Sequence, residues 1–418
     1  MPLTKAASPV PLVANGKLLR ILGLGFGLAI TIGGTIGVSI FRLPGSITAL
    51  LGSPWLILLV WLLGGIYTLL SANYTAELAT MLPKVGGPYV YARRAFGEYI
   101  GFVVGWTACL GEIAALSFLS IALGEYTVAL LPETPLSPNL VALSLLIFLA
   151  ALNWIGLRMG SGVQKLTSLL KGLALLLFVA LCFIHGPQEP GTLPTRTTTQ
   201  AGMGLFAALA LSFQMVLGAY GGWNTVVYFT EEDKDPNKNI PRSLHLGVLL
   251  VMGIYLLVNI ALLYVLPTAV LAASPLAAAD AMKLIWGAIS SQVLTLVAII
   301  SIFGTMNAVF LFLPRGLLAL GRDGLFTSKA TLVNKGGTPF IALAISTAAA
   351  VILVTLGTFE TLMAIYTFYA VATNILLVAA LFILRKKEPS LPRPFKTWAY
   401  PYARPCYCLL VYSCLSPT

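Results

Sequence analysis

Histidine occurs only twice in this 418-residue chain, at His185 and His245, and two imidazoles leave no ligand set for a zinc site. Cysteine is scarce too. Cys109 and Cys182 stand alone in apolar runs, and Cys406, Cys408 and Cys414 crowd the final residues, so no disulfide framework emerges. Charge is the largest absence: 9% of residues are charged, against about 25% in a soluble domain. That balance excludes a cytosolic enzyme, a nucleic-acid binder and a disordered scaffold. An intramembrane enzyme lacks its parts as well, with no His-Glu-x-x-His, no Asp pair and no serine–histidine set. Nothing in the sequence calls for a cofactor or a metal.

Apolar runs are what the chain has in place of charge, with 58% hydrophobic residues. A membrane helix needs roughly 20 mostly apolar residues. Runs of that kind cover 19–41, 54–80, 97–130, 139–157, 163–185, 203–230, 243–266, 285–314, 339–357 and 361–384. No cleavable signal precedes the first of them. The net charge of +11 sits in short basic clusters between runs. With residues 1–18 placed in the cytoplasm, most Lys and Arg fall in inner loops, from Lys17 and Arg20 through Arg93 and Arg94 to Arg385, Lys386 and Lys387. The outer loops hold only Arg42, Arg196 and Lys283. This is the positive-inside pattern of a multi-pass protein in the plasma (inner) membrane. The expected organisation is a ten-helix core over 19–384, followed by a basic linker and shortened segment over 385–418. That last segment reads as a truncated eleventh span or as a genuine short tail. Its basic residues, Arg385 to Lys396, are placed at anionic headgroups.

Two runs carry helix-weakening clusters at mid-depth. The first holds Gly33-Gly34-Thr35-Ile36-Gly37-Val38-Ser39, followed by Pro44-Gly45; the sixth holds Gly218-Ala219-Tyr220-Gly221-Gly222-Trp223-Asn224. Each opens a five-helix half, about 19–185 and 203–384. An odd number of spans per half forces the second half to insert upside down, giving inverted repeats with discontinuous helices 1 and 6. Glycine in membrane helices also serves close packing, but paired clusters in matching positions point to a site between the repeats. Half-helix N-termini offer free N–H groups to a carboxylate, and unwound carbonyls suit an ammonium. A site of that kind fits a zwitterion, and an amino acid is the simplest one.

These residues are similar to a known family. The chain resembles the amino acid–polyamine–organocation (APC) superfamily, and within it the L-type amino acid transporters. Four motifs carry the likeness: Gly34 to Phe41 with Pro44-Gly45; Tyr74 to Leu78 with Gly86-Gly87 and Arg93 to Gly97; Ala219 to Asn224 with Glu231-Glu232 and Asn237 to Arg242; and Arg315 with Arg322-Asp323-Gly324. The resemblance implies an all-α polytopic membrane protein that moves neutral L-amino acids by alternating access, by exchange or with protons. It places the substrate carboxylate at the N–H groups of Gly37, Val38 and Ser39, and the ammonium at carbonyls of Thr35, Gly218 and Gly221. Ile36, Ala219 and Tyr220 complete the two binding segments. Asn224 either bonds near the substrate or holds the broken sixth helix. Two departures bear on substrate size. Val38 narrows the first segment, and Gly218 stands where relatives usually carry an aromatic gate, leaving that task to Phe213, Tyr220 or another aromatic. In animals the L-type branch pairs through a cysteine in the loop between spans 3 and 4. Here 131–138 holds none, so no disulfide-linked heavy subunit is expected.

Ionisable groups inside spans are costly and mark function by default. Lys171 lies within the fifth run and either snorkels or meets partners inside the bundle. Sodium-independent relatives place a lysine here, which implies an ammonium bridging spans 1, 5 and 8 and transport without sodium. Ser301, Thr305 and Asn307 of the eighth span stand ready to receive it or an ion. Glu112, mid-way along the third run, reads either as a proton-coupling carboxylate or as a protonated structural residue. Glu77 is expected at an inner-gate contact. A sodium-coupled symporter of the same fold, or an inactive membrane subunit, are the competing readings.

Overall fold

In hydrocarbon the only partners for backbone N–H and C=O groups are other backbone groups, so long apolar runs become helices. The computed structural model describes residues 17–131, 135–187, 204–274, 276–287 and 289–398. The shortened segment expected beyond 398 lies outside the described residues, as does most of 1–18.

The first span is two helices, α1 (Leu24–Thr35) and α2 (Ser39–Leu51), bent by 44° at residues 36–38. Then follow α3 (Pro54–Met81), the short α4 (Pro88–Phe96), α5 (Glu98–Leu130), α6 (Pro138–Ile155) and α7 (Leu157–His185). The second half opens with α8 (Leu205–Ala219), which stops at a turn over 220–224 and resumes as a 3₁₀ turn at Thr225–Phe229. α9 (Pro236–Val265), the short α10 (Thr268–Ala273) and α11 (Ala277–Trp286), α12 (Ile289–Arg322), α13 (Phe340–Leu356) and α14 (Phe359–Lys387) complete it. Among the described residues seven helices are long and apolar enough to cross a bilayer, eight with α1–α2 taken as one span; α8 and α13 are shorter apolar helices. Each of the ten expected runs holds all or most of at least one of these helices, and the chain is an all-α polytopic membrane protein.

Several boundaries differ from the sequence reading. The first span runs to Leu51 rather than 41, because Pro44 removes one rung of the ladder without ending α2. Gly52, at φ +64°, ends it instead. The eighth span begins at 289 and reaches 322, carrying Pro314 inside it. Helices α4 and α10 fall between the expected runs, and α11 almost entirely so; each is too short to give a hydropathy signal. The connection after the sixth span is short, since α9 already starts at Pro236.

α1 packs on α7, α9 and α12, and α2 on α8 and α10. The broken segments therefore lie at the centre of the bundle. Beside them Trp61 of α3, Tyr220 and Tyr255 of α9 form a buried aromatic cluster with centroids 5.1–6.2 Å apart.

Candidate functional site

The two interruptions touch each other through glycine. A Cβ at Gly222 would lie 2.4 Å from the Gly34 carbonyl oxygen, and one at Gly34 would lie 3.0 Å from the Gly222 oxygen. Gly222 also has φ +88°, where L side chains are strained. Contact and conformation thus demand glycine at the same place.

Breaking α1 at mid-depth frees carbonyls, and other elements supply donors to them. The Lys171 ammonium of α7, with no exposed surface, donates to the Gly33 oxygen (2.8 Å) and the Ile36 oxygen (2.7 Å). It also reaches the Ser301 carbonyl (3.3 Å) and the Thr305 hydroxyl (3.5 Å) of α12. Tyr255 donates to the Thr35 and Ala219 carbonyls, 3.1 Å each, joining both breaks to α9. Thr225 donates to Ile30 O, and Ser168 and Gln164 to Ala29 O. Ser301 serves through its carbonyl while its hydroxyl finds no partner, and Asn307 bonds Gly160 and Gln164 rather than Lys171.

Two cavities flank the unwound part of the sixth span. One, of about 90 Å³, is walled by Gly34, Thr35, Gly37, Val38, Ser39, Gly218, Gly221, Glu112 and Thr305. The N-terminus of α2 lies in its wall at Val38 and Ser39, and the first N–H groups of a helix have no partners within it. The other, of about 120 Å³, is walled by Glu112, Gln214, Gly218, Gly221, Asn224, Tyr366 and Asn374, among others. Gly218, Gly221, Gly222, Glu112 and Tyr366 belong to both walls. At Gly218 a Cβ would meet nothing within 4 Å, so no lid covers that position.

Three of the expected binding residues do not line either cavity. Ile36 and Ala219 are buried, and the Tyr220 ring is buried against Trp61 and Tyr255, its hydroxyl 3.3 Å from the Trp61 carbonyl. Tyr220 faces α3 and α9 rather than the cavities, which removes it as a gate. Asn224 lies in the wall of the larger cavity only. The sequence reading missed Gln164, Ser168, Thr225 and Tyr255 as partners of the broken helix. A signal existed for two of them: Gln164, Ser168 and Lys171 recur at helical spacing along an otherwise apolar helix.

The end of the bundle where α1 begins is tied by ion pairs. Arg315 of α12 makes a buried two-pronged pair with Glu232. Arg322 meets Glu231 at 2.8 Å, and Asp323 holds Arg93 at 2.6 Å and the Tyr89 hydroxyl at 2.7 Å. Glu77 of α3 accepts from Arg385 (2.9 Å) and from the Thr397 N–H (2.7 Å), and Arg393 forms an ion pair with it at 3.3 Å. Leu22 exchanges backbone hydrogen bonds with Glu232 and Lys234, drawing the N-terminal approach onto the same loop. Burial raises the Asp233 carboxyl above its ordinary range, partly offset by donors from Asn239 (2.7 Å) and the Asp235 N–H (2.8 Å).

This arrangement, two interrupted helices around a mid-depth cavity, agrees with similarity along the whole chain. The amino acid permease family model matches residues 26–416. The serine/threonine exchanger SteT of Bacillus subtilis is 31% identical over 93% of the chain and 88% of its own length. The mouse large neutral amino acids transporter small subunit 2 is 30% identical, over 91% and 73% respectively, and the mouse b(0,+)-type amino acid transporter 1 is 29% identical, over 91% and 79%. These relatives are transporters rather than enzymes. The chain belongs to the amino acid permease family, on the L-type side of the APC superfamily.

Proposed function

We propose that the protein carries neutral L-amino acids across the plasma membrane by alternating access, without sodium, by exchange or together with protons. The observation that carries this reading is the smaller cavity, walled on one side by the opening turn of α2 and on the other by the backbone of 218–222. The α-carboxylate is held by N–H groups of Gly37, Val38 and Ser39. The α-ammonium is held by free lone pairs at Thr35, Gly218 and Gly221. The Thr35 carbonyl already accepts from Tyr255 and keeps a second lone pair for substrate. The two broken spans act as matching members of inverted repeats, and the N-terminus faces the cytoplasm, where the ion-paired end of the bundle forms the inner gate.

Lys171 supports sodium independence. Its ammonium fills a nest of three carbonyls and a hydroxyl, an oxygen set that would otherwise suit a small hard cation. A sodium-coupled symporter is the second reading, and an occupied nest speaks against it. The relative named as an exchanger supports exchange here. No cysteine in 131–138 offers a link to a heavy subunit.

Uptake of labelled amino acids into proteoliposomes tests the proposal. Accumulation should be equal in sodium and choline buffers and faster when the lumen holds unlabelled amino acid. Uptake that requires sodium would overturn the coupling; no uptake of any amino acid would overturn the function.

A further inference from the structure

Glu112 projects from the middle of α5 into the common wall of the two cavities. Among the described residues no donor lies within hydrogen-bond distance of its carboxyl, although elsewhere the bundle pairs its acids carefully, as at Glu77, Glu231 and Glu232. An ionisable group at this depth is retained only where something meets it. The backbone cradle accounts for the α-carboxylate and α-ammonium of a substrate and leaves Glu112 unused. Beyond Glu112 the larger cavity presents the amides of Gln214, Asn224 and Asn374 among mainly apolar walls, and this is the space left for a substrate side chain once the cradle holds its backbone. Gly218 lines both cavities, with open space where its Cβ would be.

Charge narrows the occupant. Thr305 both lines the smaller cavity and receives Lys171, so one buried ammonium stands one side chain behind the wall that carries the one carboxyl. Their formal charges cancel, and a substrate with no net charge preserves that balance in a low-dielectric setting.

We infer that Glu112 is the specificity-determining residue of this site, and that it selects amino acids whose uncharged side chain donates a hydrogen bond, a hydroxyl or a carboxamide. The inference rests on the transport reading above and sharpens its substrate class. An aliphatic side chain of the same shape fits the space but leaves the carboxyl desolvated and unpaired when the site closes, and sites built to bond a polar group reject such isosteres strongly.

The test uses the full chain in proteoliposomes with two isosteric pairs, threonine against valine and asparagine against leucine. The wild-type protein should favour the donor of each pair by about tenfold or more. In Glu112→Leu the preference should collapse or reverse, whereas Glu112→Gln, which keeps an acceptor oxygen, should retain most of it. Equal wild-type rates within both pairs would overturn the inference without any variant. So would a ratio unaltered in Glu112→Leu, or a wild-type preference for lysine and arginine. Failure to accumulate any amino acid strikes the transport reading and takes this inference with it; accumulation without discrimination strikes this inference alone.

Discussion

At the residue scale, the protein's central device is a lysine placed where backbone has lost its ladder. Burying an ammonium in a membrane helix costs roughly 2.5–3.5 kcal/mol on insertion scales, and the Gly33 and Ile36 carbonyls offset it. Lys171→Ala removes the charge and the nearest donor to both oxygens, leaving them the single Thr305 hydroxyl at 3.2 and 3.4 Å; a buried oxygen without a partner costs about 1–3 kcal/mol. Uptake should fall at least about tenfold as the first-span break loses its shape, and wild-type uptake should ignore sodium. A Lys171→Ala protein that transports normally would refute the role. Gly218 is the second informative residue. Its backbone is helical and its Cβ position empty, so Gly218→Phe should fold normally. The ring should fill the space that both cavities share at this wall and depress uptake of large amino acids about tenfold more than uptake of alanine. Equal loss for both sizes would place the substrate elsewhere. The residues that line the cavities were readable in part: the glycine clusters announced Gly37 and Gly218, and Glu112 stood out by charge. Tyr220 was misplaced because a sequence motif says which residues are near a break and not which way each faces.

At the element scale, function depends on two helices that stop and restart. Gly222 sits at positive φ with the Gly34 carbonyl where its Cβ would be, so Gly222→Ala combines backbone strain of about 1–3 kcal/mol with a clash between the two breaks. Its melting temperature in detergent should drop by several degrees, roughly as ΔΔG divided by the unfolding entropy, and uptake should be lost. Gly162→Ala in α7, where a Cβ would meet nothing within 4 Å, should change neither. If Gly222→Ala were as silent as the control, the breaks would not meet as described. Spans were legible because lipid imposes one solution on a long apolar run. The short helices α4, α10 and α11 were not, since neither length nor hydropathy separates them from loops. Pro44 misled in the same way: one missing N–H weakens α2 without ending it.

At the scale of the whole molecule, the ion-paired end of the bundle joins elements far apart in sequence: α3 to α14, and α12 to the loop after the sixth span. Burial sets the worth of each pair. Removing one partner of a buried pair leaves an uncompensated charge at about 3–5 kcal/mol, while exposed pairs contribute about 0–1 kcal/mol. Arg315→Ala, which strands the buried Glu232, should therefore be strongly destabilised in thermal unfolding. Arg322→Ala, whose pair with Glu231 is partly exposed, should melt close to wild type. Comparable losses would mean that burial does not set the ranking. The charged residues of these pairs were visible as motifs, but their partners lie in other spans, and only the fold brings them together.

If peptide groups of the two broken helices grip both ends of a zwitterion, binding needs both charged ends, and competition measures that need. With the full chain in proteoliposomes, a transported amino acid should inhibit uptake of its labelled form, whereas its methyl ester and its N-acetyl derivative, each lacking one charged end, should be weaker by about tenfold or more. Equal inhibition by the ester or the acetylated form would contradict the claim.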